Sequence, residues 1–348
     1  MTDYLIFGGT GSLGKKLIER LTQTSSVSVY SRDEAKHWTI KNELADKNVK
    51  PSFFVGDIRD KNRIYDVIRQ TKPSTVIIAA ALKQVDTCEL SPSESIQTNL
   101  VGTQNVIEVV NKYEDGSNPA SIRNVLFVST DKACAPVNVY GMCKAISERI
   151  VTSQAKTGHN HIKYLATRYG NVLESRGSII PLFKYQAESA EQLTVTDPNM
   201  TRFVMTLDDS ADLIFHTLKH GKSGETWIPR LPAMRIGDLA ELFSERYNKP
   251  IKIIGLRPGE KMHEDLINES ESFRTYRNDT HYVIGPAYQP NTNEKFTYTS
   301  ADEVMTKQRL NHHLTNLKIF ETSIESFKGL KIDELMTSRK SNENISTL

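Results

Sequence analysis

Tyr4-Leu5-Ile6-Phe7-Gly8-Gly9-Thr10-Gly11-Ser12-Leu13-Gly14-Lys15-Lys16-Leu17-Ile18-Glu19-Arg20-Leu21 decides the fold. The first four residues are an apolar run that reads as a short buried strand. From Lys15 to Leu21 the apolar residues recur at helical spacing. Between the two stand Gly8, Gly11 and Gly14. Glycine permits a tight turn, and it lets a pyrophosphate approach the backbone at the electropositive start of a helix. A glycine pattern alone is weak. With a strand before it and a helix after it, nucleotide binding is favoured over a plain turn. The candidate contacts are Gly8, Thr10, Gly11, Ser12, Leu13 and Gly14.

Working outward, Val27-Ser28-Val29-Tyr30 is a second strand, followed by Ser31-Arg32-Asp33 and, one turn on, Lys36. NAD binders usually place an acid here for the ribose 2′-hydroxyl. A guanidinium instead suits a 2′-phosphate, through charge and bidentate geometry. The expected cofactor is therefore NADP+, with Ser31, Arg32 and Lys36 around the phosphate; the alternative is a solvated, charged helix start. Pro51 to Val55 is a third strand leading to Asp57 and Ile58. Asp57 either holds an adenine amino group or caps the helix from Lys61 to Thr71. Val76 to Ala81 is a fourth strand, whose Ala79, Ala80 and Ala81 let the backbone pass close to a cofactor ribose. Ser93 to Asn111 is a helix on which Asn99 either orders the active-site strand or is an exposed polar residue. Strands alternating with helices in this way predict an α/β fold with a Rossmann-type doubly wound parallel sheet.

Val125 to Val151 carries the chemistry. A β-branched apolar run, Val125 to Val128, ends in Ser129-Thr130-Asp131-Lys132. A loop with Pro136 follows, then a helical pattern bearing Tyr140 and Lys144, which lie on one helix face. A hydroxyl, a carboxylate, two lysines and a phenol thus converge at the carboxyl end of a parallel strand, where open α/β sheets bind ligands.

Bulk properties exclude other classes. The 348 residues suggest roughly two domains. Lys plus Arg is 44 against 42 Asp plus Glu, a net charge of +2, too balanced for a non-specific nucleic-acid binder. Cys88, Cys134 and Cys143 have no metal-ligand spacing, nor do the nine histidines, so no metal is expected. The low, odd cysteine count fits a reducing compartment. The longest apolar run, Val76 to Leu82, is far short of a membrane span, and no signal peptide is read. A cytoplasmic protein is expected. Residues 1–172 read as the cofactor domain, with 205–232 returning to it. Residues 173–204 and 233–290 read as a smaller, interleaved substrate lobe, with a strand at Leu193 to Thr196 and a polar turn over Asp197 to Val204. Residues 291–337 read as an extension and 338–348 as a tail.

The glycine turn, Tyr140-x-x-x-Lys144 and Arg168-Tyr169-Gly170-Asn171 together resemble an extended short-chain dehydrogenase/reductase acting on a nucleotide sugar. Further phrases narrow the likeness: Tyr30-Ser31-Arg32-Asp33, Ala80-Ala81-Leu82-Lys83, Ser129-Thr130-Asp131-Lys132-Ala133, Ser175-Arg176-Gly177-Ser178, Met200-Thr201-Arg202-Phe203 and Arg257-Pro258-Gly259-Glu260-Lys261. They are similar to the inverting UDP-N-acetylglucosamine 4,6-dehydratases. The resemblance implies C4 oxidation by recycled NADP+, loss of water across C5 and C6, and hydride return to C6. It implies that Tyr140, with Lys144, is the base on the 4-hydroxyl, and that Thr130 polarises O4. Asp131 would be the acid at the 6-hydroxyl and Lys132 the base at C5. It also implies cofactor contacts from Lys83 and Asn99, and substrate contacts from Lys83, Asn171, Ser178, Arg202, Arg257 and Glu260, any one of which is otherwise a surface ion pair. Relatives assemble as homo-oligomers. The rival readings are a UDP-sugar 4-epimerase and a non-catalytic NADP-sensing protein.

Overall fold

The computed structural model describes residues 2–44, 50–115, 122–156, 161–173, 175, 177–288 and 294–322. The proposed tail at 338–348, and Arg176 of the family phrases, lie outside the described residues. Thr2–Phe7 (β1), Val27–Ser31 (β2), Ser52–Val55 (β3), Pro73–Ile78 (β4), Asn124–Val128 (β5) and Lys163–Thr167 (β6) run parallel in the spatial order β3-β2-β1-β4-β5-β6. Thr226–Pro229 continues the parallel set beside β6. His281–Ile284 and Thr275–Arg277 close that edge antiparallel, giving nine strands. The chain builds outward from β1 to β3, then returns to β1's other flank with β4. The carboxyl ends of β1 and β4 therefore bound the crevice at which such sheets bind ligands.

Register puts the ends of these strands on one level. Phe7 is opposite Ile78, and Ile78 is opposite Phe127. The glycine turn, Ala79 and the Ser129 turn all leave the sheet there. Leu5, Ile6, Phe7, Val76, Ile77, Ile78, Val125, Leu126 and Phe127 are fully buried. Burial on both faces is why they read as unbroken apolar runs instead of alternating ones. Each such side chain contributes about 1.5–3 kcal/mol relative to exposure.

The described residues divide into two units: those within 1–170 with 208–230 and 265–299, and those within 171–207 with 231–264 and 300–322. The lobe expected over 233–290 is thus corrected at its end. Residues 265–284 belong with the large sheet because His281–Ile284 pairs with Thr226–Pro229. In the second unit, the polar turn expected over Asp197 to Val204 holds only to Met200; from Thr201 the chain is a strand, Thr201–Met205, buried throughout. It pairs with Ala233–Arg235 and Asn171–Val172. Around it pack Phe183, Leu239, Phe243, Leu310 and Leu314, a core separate from that of the first unit. Among the described residues no helix is long and apolar enough to cross a membrane, and no group of three or more His, Cys, Asp or Glu is placed to hold a metal.

Candidate active site

The glycine turn is shaped by three different constraints. Gly8 has φ +82°, and a Cβ there would lie 2.6 Å from the Ala80 backbone, so the turn and the Ala79-Ala80 segment touch. A Cβ on Gly14 would lie 2.4 Å from Gly9 Cα. Both are glycines for the chain's own sake. Gly11 differs: its φ is −73°, it is exposed, and a Cβ would meet only the Gly8 carbonyl at 3.4 Å, an acceptable contact. Nothing in the protein requires glycine at that position, which caps the helix Ser12–Leu21 without a side-chain hydrogen bond. The open backbone at this helix start leaves room for a group from outside. The cradle fits a pyrophosphate.

At the end of β2, Thr10 Oγ1 donates to Ser31 Oγ at 3.2 Å, and Ser31 Oγ lies 2.5 Å from His37 Nε2. Burial lowers the pKa of His37, which favours the neutral ring as Ser31's partner. Arg32 is half exposed, 3.8 Å from Asp57. Lys36 pairs with Asp33 at 2.8 Å, and Asp33 also caps the helix Glu34–Glu43. Asp57 is not the cap of the helix Lys61–Thr71; Asp60 is. Arg59, which the sequence reading passed over, grips both carboxylate oxygens of Asp57 at 2.7–3.1 Å. Ile58 is buried, against Gly102. Asn99 sits in a π-helical turn, Ile96–Val101. Its side chain accepts from Leu82 N at 2.7 Å and donates to Leu82 O at 2.9 Å. It clamps the loop after β4 beside exposed Lys83, and its own carbonyl accepts from Ser147 on the Tyr140 helix at 2.9 Å. Asn99 thus holds the backbone at Leu82, and its amide nitrogen also donates to Ser95 Oγ at 3.2 Å.

After β5, Thr130 opens a short turn, Asp131–Ala133. Thr130 Oγ1 donates to Asp131 Oδ1 at 2.9 Å, and Lys132 Nζ donates to the same oxygen at 3.1 Å. Asp131 is 1 % exposed, and its Oδ2 is buried with no hydrogen-bond partner. A buried carboxylate oxygen left without a protein partner is costly. The helix Val139–Ser153 starts at Asn138, whose side chain accepts from Gly141 N at 2.7 Å. A Cβ on Gly141 would lie 2.1 Å from the Lys132 carbonyl, so glycine after Tyr140 lets helix and turn touch. Burial pushes the Tyr140 phenol up to about 12, opposed by Lys132 and by a hydrogen bond to Thr130. Lys144 is buried too. Its Nζ donates to the Val128 carbonyl at 2.5 Å and lies 3.9 Å from the centre of the Phe127 ring. Burial lowers it to about 7, with Glu148 opposing. The cation acting on Tyr140 is therefore Lys132, while Lys144 faces the strand end.

In the second unit Ser178, Arg202 and Glu260 of the proposed substrate residues already have partners, whereas Asn171 has an open acceptor. Asn171 Oδ1 is buried and unpartnered. Ser178 Oγ donates to Leu173 O at 2.7 Å. Arg202 is buried, donating to the carbonyls of Thr201 (2.8 Å) and Met262 (3.2 Å), with Glu264 at 3.9 Å. Glu260 accepts from Arg257 N at 3.1 Å, closing the turn in which Gly259 has φ +79°. His263 Nδ1 lies 2.8 Å from Thr201 Oγ1, a local contact.

Comparison with known proteins bears on the same residues. Residues 4–286 match the family described as "Polysaccharide biosynthesis protein". A UDP-N-acetylglucosamine 4,6-dehydratase (inverting) from Campylobacter jejuni is 38% identical over 290 residues, covering 82% of this chain and 83% of that protein. A UDP-glucose 4-epimerase from Rickettsia bellii is 37% identical over 291 residues, covering 80% and 82%. The crystal structure of Pen from Bacillus thuringiensis superposes with a TM-score of 0.85 at 33% identity, covering 91% and 98%. Relatives named for two different reactions stand at nearly equal identity, so the choice between reactions falls to the side chains.

Proposed function

We propose, for a chain that belongs to the polysaccharide biosynthesis protein family, the reaction of a nucleotide-sugar 4,6-dehydratase acting on UDP-N-acetylglucosamine, with inversion at C5. The observation that supports it is the convergence of Thr130, Asp131, Lys132 and Tyr140, with Asp131 Oδ2 buried and unpartnered beside an ammonium. Bound NADP+ would take the C4 hydride and return it to C6. Gly8, Gly11 and Gly14 would hold its pyrophosphate, and Arg32 its 2′-phosphate.

Tyr140 removes the proton from the 4-hydroxyl, which Thr130 orients. A ketone at C4 makes the C5 proton acidic. Lys132, in its neutral form, takes that proton, and Asp131, protonated, gives one to the departing 6-hydroxyl as water leaves. One carboxylate oxygen already binds Lys132 and Thr130, so the other is the one free for the leaving group. With the hydride returned to C6, a proton delivered to C5 on the opposite face, by Lys132 or by a second group such as Tyr140, would give the L-arabino-configured 4-keto-6-deoxy sugar. Arg202, Arg257, Glu260, Asn171 and Ser178 are the candidates for the UDP moiety, and Lys83 for cofactor and sugar. Interconversion at C4 alone needs neither Asp131 nor Lys132, which favours the dehydratase over the epimerase. Lys132→Ala tests this assignment. It is expected to keep cofactor binding and to lose the 4-keto product; undiminished turnover would remove Lys132 from the mechanism.

A further inference from the structure

Arg168, at the end of β6, is 2 % exposed, and its five N–H groups meet five acceptors. Nε and Nη2 donate to Glu148 Oε2 and Oε1 at 3.1 and 2.6 Å. Nη1 and Nη2 donate to Glu271 Oε2 and Oε1, both at 2.8 Å, and Nη1 also donates to the Leu266 carbonyl at 2.9 Å. Both carboxylates are buried. Burial raises the Glu271 carboxyl, and the guanidinium outweighs that, holding it down at about 2. Arg149 and Arg274, 3.6 and 3.8 Å from Glu271, offset the second negative charge.

Each arm of this cluster reaches an element that carries the site. Glu148 stands one turn beyond Lys144 on the helix that bears Tyr140. The main chain on either side of Arg168 receives the catalytic turn: Ser129 N donates to Thr167 O at 2.7 Å, and Asp131 N donates to Tyr169 O at 2.9 Å. Glu271 accepts from the Cys134 thiol at 3.6 Å, immediately past that turn, and the next residue, Ala135, is held at φ +43°. A helix, a strand end and a turn are thus fixed to one guanidinium.

We infer that Arg168, Glu148 and Glu271 form a positioning cluster that sets the Asp131–Lys132 turn against Tyr140. None of the three is placed at the reacting atoms. The inference rests on the dehydratase reading, because elimination is the step that needs this alignment. A misplacement of about 1 Å at such a site costs on the order of 10²-fold in rate. Stability is a separate matter, and the two separate in experiment. Breaking one partner of a buried ion cluster costs about 3–5 kcal/mol, whereas replacing the whole cluster by apolar residues is often neutral or stabilising.

The test is the variant Arg168→Met/Glu148→Met/Glu271→Met, with Glu271→Gln, which lies away from Lys144, as the second arm. Each is measured for thermal midpoint, kcat, KM and the absorbance of reduced nicotinamide during turnover. The triple variant is expected to fold. In both variants kcat falls by at least about tenfold while KM stays within about threefold, and reduced nicotinamide builds up as elimination lags behind C4 oxidation. A folded triple variant with wild-type kcat overturns the inference. So does failure of both variants to fold, which makes the cluster a stability element alone. Wild-type enzyme that yields only a C4 epimer in the same assay overturns the dehydratase reading instead.

Discussion

Lys144 is a cation in a place that disfavours cations. Its burial lowers it from near 10.5 to about 7, and Glu148, which could offset that, is already held by Arg168. The sign of the resulting stability effect follows directly. Below about 7 the folded chain must carry the buried charge, so the penalty is complete. Between about 7 and 10.5 the folded lysine is neutral while the unfolded one is charged, so the penalty fades as pH rises. Lys144→Met should therefore raise the thermal midpoint most at pH 6 and progressively less toward pH 10; an increment independent of pH would contradict this. Arg32 tests the cofactor preference at the same scale. Arg32→Ala should weaken NADP+ binding by about tenfold, the loss of about 1.4 kcal/mol, and leave NAD+ binding nearly unchanged. Equal loss for both cofactors would place Arg32 away from the 2′-phosphate. Single residues were legible where local chemistry is dense: Thr130, Asp131, Lys132 and Tyr140 stand within eleven positions. Glu271 was not legible, because its partner Arg168 lies 103 positions away and no local spacing signals the pair.

The strand, glycine turn and helix at the amino end show how an element can be read and still be understood too simply. The sequence reading treated Gly8, Gly11 and Gly14 alike. In the structure Gly8 and Gly14 answer to backbone contacts within the protein, and only Gly11 faces open space. The two kinds should separate on substitution. Gly14→Ala drives a methyl into Gly9 and should lower the thermal midpoint sharply. Gly11→Ala should fold at the wild-type midpoint yet lose at least about tenfold in dinucleotide affinity, about 1.4 kcal/mol. Full affinity in Gly11→Ala would remove the pyrophosphate from this turn. The polar turn expected over Asp197 to Val204 ran on past Met200 into a strand for a definite reason: Thr201-Arg202 looks solvated. Carbonyls of Thr201 and Met262 satisfy the guanidinium and allow a charged residue inside a buried strand.

Across the whole molecule, the parallel sheet was legible because strands buried on both faces give unbroken apolar runs at regular intervals. Its far edge was not. Thr226–Pro229, Thr275–Arg277 and His281–Ile284 are short, and their partners are distant in sequence, so the returns of the chain to the first unit were only half seen. The most direct measurement is turnover of UDP-N-acetylglucosamine in deuterated water, read by NMR. The account predicts a 4-keto-6-deoxy product carrying solvent deuterium at C5. A C4 epimer with no deuterium would contradict it.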